Sequence, residues 1–110
     1  MIPPNLYSFV NELIKSTGAG NLAWRERDFF GRETFFCEKN GYKIQIGAYW
    51  NDDAETMSIS FTIEMPEGGS ASFSTSQWED DYQQMRILLE LASVSSAKIS
   101  PESLKGFFEG

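Results

Sequence analysis

Tyr42-Lys43-Ile44-Gln45-Ile46-Gly47-Ala48-Tyr49-Trp50 and Met57-Ser58-Ile59-Ser60-Phe61-Thr62-Ile63-Glu64-Met65 are the two stretches whose reading decides the fold. In the first, Tyr42, Ile44, Ile46, Ala48 and Trp50 share one face. In the second, Met57, Ile59, Phe61, Ile63 and Met65 do the same, and the intervening positions are mostly polar. Strict alternation over nine residues is the mark of a strand with one buried face, and two such runs in succession predict a half-buried antiparallel sheet. On this parity Tyr42, Trp50 and Met65 are core residues.

Working backwards, Asn40-Gly41 is the strongest short hairpin signal, since both central residues of a type I′ turn need positive φ. With those two as the loop, Lys39 opposes Tyr42, Cys37 opposes Ile44 and Phe35 opposes Ile46. Glu38 then faces Lys43 and Phe36 faces Gln45 on the other side, so a cross-strand charge pair supports the register. The stretch 22–30 has apolar ends and a charged middle, Arg25-Glu26-Arg27-Asp28, which suits an edge strand. Neither parity places all of Leu22, Trp24, Phe29 and Phe30 on one face, so a bulge is admissible there. At the chain start, Pro3-Pro4 followed by Leu6, Phe9, Val10, Leu13 and Ile14 reads as a helix over about 4–17, stopped by Gly18.

Working forwards, residues 51–55 and 66–69 are turns. Ala71, Phe73 and Thr75 alternate with serines in a fifth strand. Ser76-Gln77-Trp78-Glu79 has the capping-box form, and Glu79, Asp80 and Asp81 suit the positive end of a helix, so the second helix is expected to begin there. Tyr82, Met85, Leu88, Leu89 and Ala92 mark its buried face. Ser100-Pro101-Glu102 is a further start signal, with Leu104, Phe107 and Phe108 on a short docked last helix. The expectation is one α+β domain over residues 1–110, its helices packed on one face of a five-strand meander. Phe9, Leu13, Ile44, Ile46, Ile59, Phe61, Ile63, Tyr82, Leu88 and Leu89 should meet in its core.

Composition excludes more than it assigns. The chain has a net charge of −7 with nine basic residues, an unpromising balance for nucleic acid or an anionic membrane. By the same field argument a basic protein would be drawn in. Histidine is absent, which removes Ser-His-Asp and Cys-His catalysis and the usual zinc sites. No cofactor motif is present, and the chain is read as a non-enzyme. The lone Cys37 cannot form an internal disulfide. Met1-Ile2-Pro3-Pro4 lacks a signal-peptide pattern, and together these point to the cytoplasm.

The candidate binding residues are Phe36 and Tyr49, aromatics on the non-core face, together with Asp52, Asp53, Glu55, Glu79, Asp80 and Asp81. Each has a plain alternative. The 51–55 loop lacks the spacing and glycine of a calcium loop and reads first as a turn. Glu79 to Asp81 are accounted for by helix capping, and a glycosidase-like carboxylate pair has no defined separation. Cys37 reads as a core thiol.

In size, acidity and architecture, through the Leu6 to Ile14 helix, the alternating strands and the Ser76 helix start, the chain resembles the small acidic immunity proteins that bacteria encode beside contact-dependent and other polymorphic toxins. That resemblance implies a cytoplasmic inhibitor of a basic toxin C-terminal domain, often a nuclease, whose active site or substrate surface it blocks. Two other classes stand beside it. A small ligand-binding or cryptic enzymatic domain would need a concave apolar pocket with convergent polar groups. A phage, secretion-chaperone or complex-subunit protein would use the same patches for assembly.

Overall fold

The computed structural model describes residues 1–29, 32–97 and 104–109. A 3-10 turn (Pro4–Leu6) leads into helix α1 (Tyr7–Gly18). Strands β1 (Arg25–Phe29), β2 (Arg32–Lys39), β3 (Tyr42–Asn51), β4 (Thr56–Glu64) and β5 (Ser70–Ser76) follow, then helix α2 (Tyr82–Ser96) and a 3-10 turn (Lys105–Phe107). The sheet is an antiparallel meander in the order β1-β2-β3-β4-β5. The fold is α+β, as the alternation requires.

The Asn40-Gly41 hairpin has the register read from its turn: Lys39 pairs with Tyr42, Cys37 with Ile44 and Phe35 with Ile46. Asn40 (φ 54°) and Gly41 (φ 83°) occupy the left-handed conformations that a type I′ turn demands. Each ladder keeps a constant register, so β1 contains no bulge. The parity conflict in 22–30 resolves differently, because the strand starts only at Arg25. Leu22 and Trp24 lie before it, in the link from α1. Phe30 falls outside the described residues.

Ile46, Ile59 and Phe61 of the sheet and Val10, Met85, Leu88 and Ala92 of the helices are fully buried in one core, with Phe9, Tyr82 and Leu89 packed against it. Each large apolar side chain so buried contributes about 1.5–3 kcal/mol. Trp24 closes the core at the β1 side. Its indole N–H donates to Thr17 Oγ1 at 3.1 Å, and its backbone N–H donates to Ser95 Oγ at 3.1 Å.

The two helices run side by side in the same direction. Before their starts the Ile2 N–H donates to Asp81 Oδ2, Gln84 Nε2 in the first turn of α2 meets Asn11 Oδ1 of α1, and near the end of α2 Ser95 Oγ donates to the Leu22 carbonyl beyond α1. α1 ends in a Schellman motif: Asn21 N–H bonds to the Ser16 carbonyl and Gly20 N–H to that of Thr17, with Gly20 at φ 81°. α2 packs directly on all five strands, whereas α1 leans mainly on α2.

Four expectations are corrected. α2 begins at Tyr82, because Ser76 is still in β5, and the Ser76–Glu79 bonds close a turn instead of a helix. Tyr42, Trp50 and Met65 have core parity yet are 37%, 54% and 40% exposed, because no helix lies over the strand ends. The strand expected over 22–30 is shorter at its start. The tail is not docked: Leu104, Phe107 and Phe108 are exposed, and Ser100-Pro101-Glu102 lie outside the described residues.

Two substitutions test this packing. A Cβ at Gly47 would stand 3.0 Å from Thr34 Oγ1 and 3.1 Å from the Glu33 carbonyl, a backbone atom that cannot swing away. Gly47→Ala should therefore destabilise by about 1–3 kcal/mol in urea unfolding. Thr17→Val, which strands a buried indole N–H, should cost about 1–3 kcal/mol, and near-neutral stability would show that bond to be dispensable.

Candidate functional site

Two surfaces arise where the core face outruns its helices. The first is the end of the sheet formed by the β3–β4 turn and the β5–α2 connection. The Gln77 N–H donates to the Met57 carbonyl at 3.0 Å, and the Met57 N–H donates to Gln77 Oε1 at 3.0 Å, so the two loops are bound side by side. Trp50 pairs with Met57 in the ladder, which sets it beside them.

The local chemistry of the two loops sets the surroundings of Trp50 and places Trp78 outside. Asn51 Oδ1 accepts from the N–H groups of Asp53 (3.1 Å) and Ala54 (3.3 Å), closing the turn, and Glu55 completes it at φ 49°. In the other loop, Glu79 Oε1 accepts from the Ser76 N–H at 3.3 Å, and the Glu79 N–H donates to the Ser76 carbonyl at 2.9 Å. This tight turn throws Trp78 outward to 75% exposure, while Trp50 is 54% exposed. Asp52, Asp53 and Glu55 lie in the first of these loops and Asp80 in the second, all exposed and none ion-paired among the described residues.

Glu79 and Asp81 have other employment. Glu79 Oε2 lies 2.6 Å from the Met1 ammonium, which also donates to the Ser74 carbonyl at 2.6 Å. Its hydrogen bond from that ammonium holds the Glu79 carboxyl below its usual range. Asp81 holds the Ile2 N–H at 2.6 Å.

Of the eight residues read from the sequence, Asp52, Asp53, Glu55 and Asp80 therefore gather at one end. Tyr49 adjoins them on the outer face of the sheet, in the row Tyr49, Ser58, Ser76. Phe36 is separate. The guanidinium groups of Arg25 and Arg27 sit 5.5 and 5.2 Å from its ring, in a surface that also carries Glu38, Lys43 and Glu64, so its surroundings are charged and mixed in sign. Trp50 and Trp78 were missed, the one because its parity reads as core and the other because it lies inside a helix-start signature.

The second surface is a cleft of ≈ 760 Å³ between α1 and the opposite end of the sheet. Leu6, Phe9 and Leu13 form its helical wall, and Cys37, Ile44, Ile63 and Ala71 form its floor across strands β2 to β5. Lys39 and Glu12 line it without pairing to each other or to any other described charge. The floor residues Ile44 and Ile63 retain 6% and 5% exposure, whereas Ile46 and Phe61, the next core-face residue along each strand, have none. Burial raises the Cys37 thiol, opposed by the nearby charges of Lys39 and Arg25, so it is a poor nucleophile. Among the described residues no metal-binding group of carboxylates and cysteine converges, and no helix is long and apolar enough to cross a membrane.

The Glu79 tether has a pH signature. A carboxyl with a depressed folded-state value stabilises above the ordinary carboxylate range and loses that contribution as pH falls through the folded value. Glu79→Gln should therefore lower stability by less than about 1 kcal/mol at neutral pH, as expected for a solvent-exposed pair. The difference from wild type should shrink as pH falls below the ordinary carboxylate range and vanish once Glu79 is protonated in the folded state, and one that does not shrink with acidification in urea titrations would refute the assignment to this carboxylate. Compared with protein-family models, curated proteins and solved structures, the chain has no match.

Proposed function

We propose that the protein is a binding domain for a basic protein surface, engaged by the Trp50 and Trp78 end of the sheet. The observation that carries this reading is that two exposed tryptophans and four carboxylates with no ion-pair partner among the described residues share one end of the sheet, where two loops are bonded to each other. Tryptophan is the residue most enriched among energetic anchors, and surrounding carboxylates steer a cationic partner and fix its orientation. The carboxylates are suited to occupy the anion-binding surface of a nuclease-like domain, which fits inhibition of a toxin domain by an immunity protein. Phe36 is set aside from this interface, because it lies away from the tryptophan end and its ring is already engaged by Arg25 and Arg27.

A second reading, a small-ligand binding domain, has its own observation in the apolar cleft under α1. It uses the far end of the sheet, so the two readings are separable by mutation.

Co-expression with the product of the adjacent reading frame, followed by purification and a growth-rescue assay, tests the first reading. Complex formation and rescue are expected. Trp50→Ala and Trp78→Ala should each weaken binding by at least about 2 kcal/mol, roughly thirty-fold in Kd. Asp52→Lys with Asp53→Lys should slow association by about tenfold or more at low salt. Binding that survives both tryptophan changes would place the interface elsewhere.

A further inference from the structure

We propose that the cleft under α1 binds a linear amphiphile, its apolar chain laid across strands β2 to β5 and its anionic head group held by Lys39. The proposal deepens the ligand reading and owes nothing to the tryptophan end.

Shape gives the chain. The floor runs from Cys37 on β2 through Ile44 and Ile63 to Ala71 on β5. Three inter-strand spacings make that trench about 14 Å long, the span of a medium-length acyl chain. Its ≈ 760 Å³ lies within the usual range of small-molecule sites. The cleft is also where the core is least completely sealed: Leu13, Ile44 and Ile63 are 5–6% exposed, while the core residues away from it are at 0–3%. An apolar occupant would remove that surface from water.

Charge gives the head group. Lys39 ends β2 at core-face parity, opposite Tyr42, so its ammonium stands at the β2 end of the trench. It has no carboxylate partner among the described residues, in a chain with a net charge of −7. A cation left unpaired beside an apolar trench suits a carboxylate or phosphate joined to a hydrocarbon. Glu12, on the helical wall, is the one competing charge and would favour a cationic head instead.

Calorimetric titration of the full chain with dodecanoate and dodecylammonium below their micellar concentrations, and with dodecanol below its solubility limit, decides between these. The expected result is saturable one-to-one binding of dodecanoate, tighter than dodecylammonium by tenfold or more. Lys39→Ala should weaken dodecanoate about tenfold and leave dodecanol unchanged, and Glu12→Gln should leave dodecanoate equal or tighter. Ala71→Trp, at an exposed position on the floor, should block the carboxylate and the alcohol alike. Equal binding of acid and alcohol, insensitive to Lys39, would overturn the anionic head group while leaving an apolar-ligand cleft. Failure of all three probes would overturn both. Binding that appears only in Phe107→Ser with Phe108→Ser would identify the cleft as the seat of the C-terminal aromatics and overturn the proposal.

Discussion

The constraint on which the rest of the molecule depends is a mismatch of dimensions between its two layers. Both helices cross the strands, starting beside β5, where Met1 meets Ser74, and ending beside β1, where Thr17 and Ser95 hold Trp24. A helix with its side chains is about 10 Å wide, so two abreast cover about 20 Å. β3 has ten residues and is about 33 Å long. The apolar face of the sheet therefore extends past its cover at both ends. Trp50 is left at one end, and Tyr42 and Met65 at the other.

The two ends are finished differently. At the β3–β4 turn, two bonded loops with acidic side chains share the end that carries the uncovered aromatics and give it a charge. At the Asn40-Gly41 end, α1 stands off the sheet and leaves a trench. Both arrangements follow from α2 taking the central position on the sheet, with α1 supported mainly by α2.

This geometry also explains what could be read from the sequence. Local chemistry fixed the hairpin: Asn40 and Gly41 tolerate positive φ, and one turn sets every partner from Thr34 to Gly47 onward. Alternation gave the core residues Ile44, Ile46, Ile59, Phe61 and Ile63. It could not give the exposure of Tyr42, Trp50 and Met65, because parity reports which face a side chain occupies and not how far the opposing layer reaches. The capping signature at Ser76 misled for a related reason. Its hydrogen bonds form, but they close a turn after a strand, and the helix waits until Tyr82. Of the acidic candidates, four gather at the tryptophan end, while Glu79 and Asp81 fasten residues 1 and 2, contacts between positions more than seventy residues apart that no local pattern reveals.

The bond between the Met1 ammonium and the Ser74 carbonyl has a consequence for assembly. β5 is an outer strand whose seven residues carry no charge, unlike β1, where Arg25, Glu26 and Arg27 guard the opposite margin. An uncharged outer strand offers its free backbone groups to any passing extended chain. With Ser74 bonded to Met1, that row of acceptors is interrupted near its middle, which leaves a shorter run of the edge open to further strand pairing.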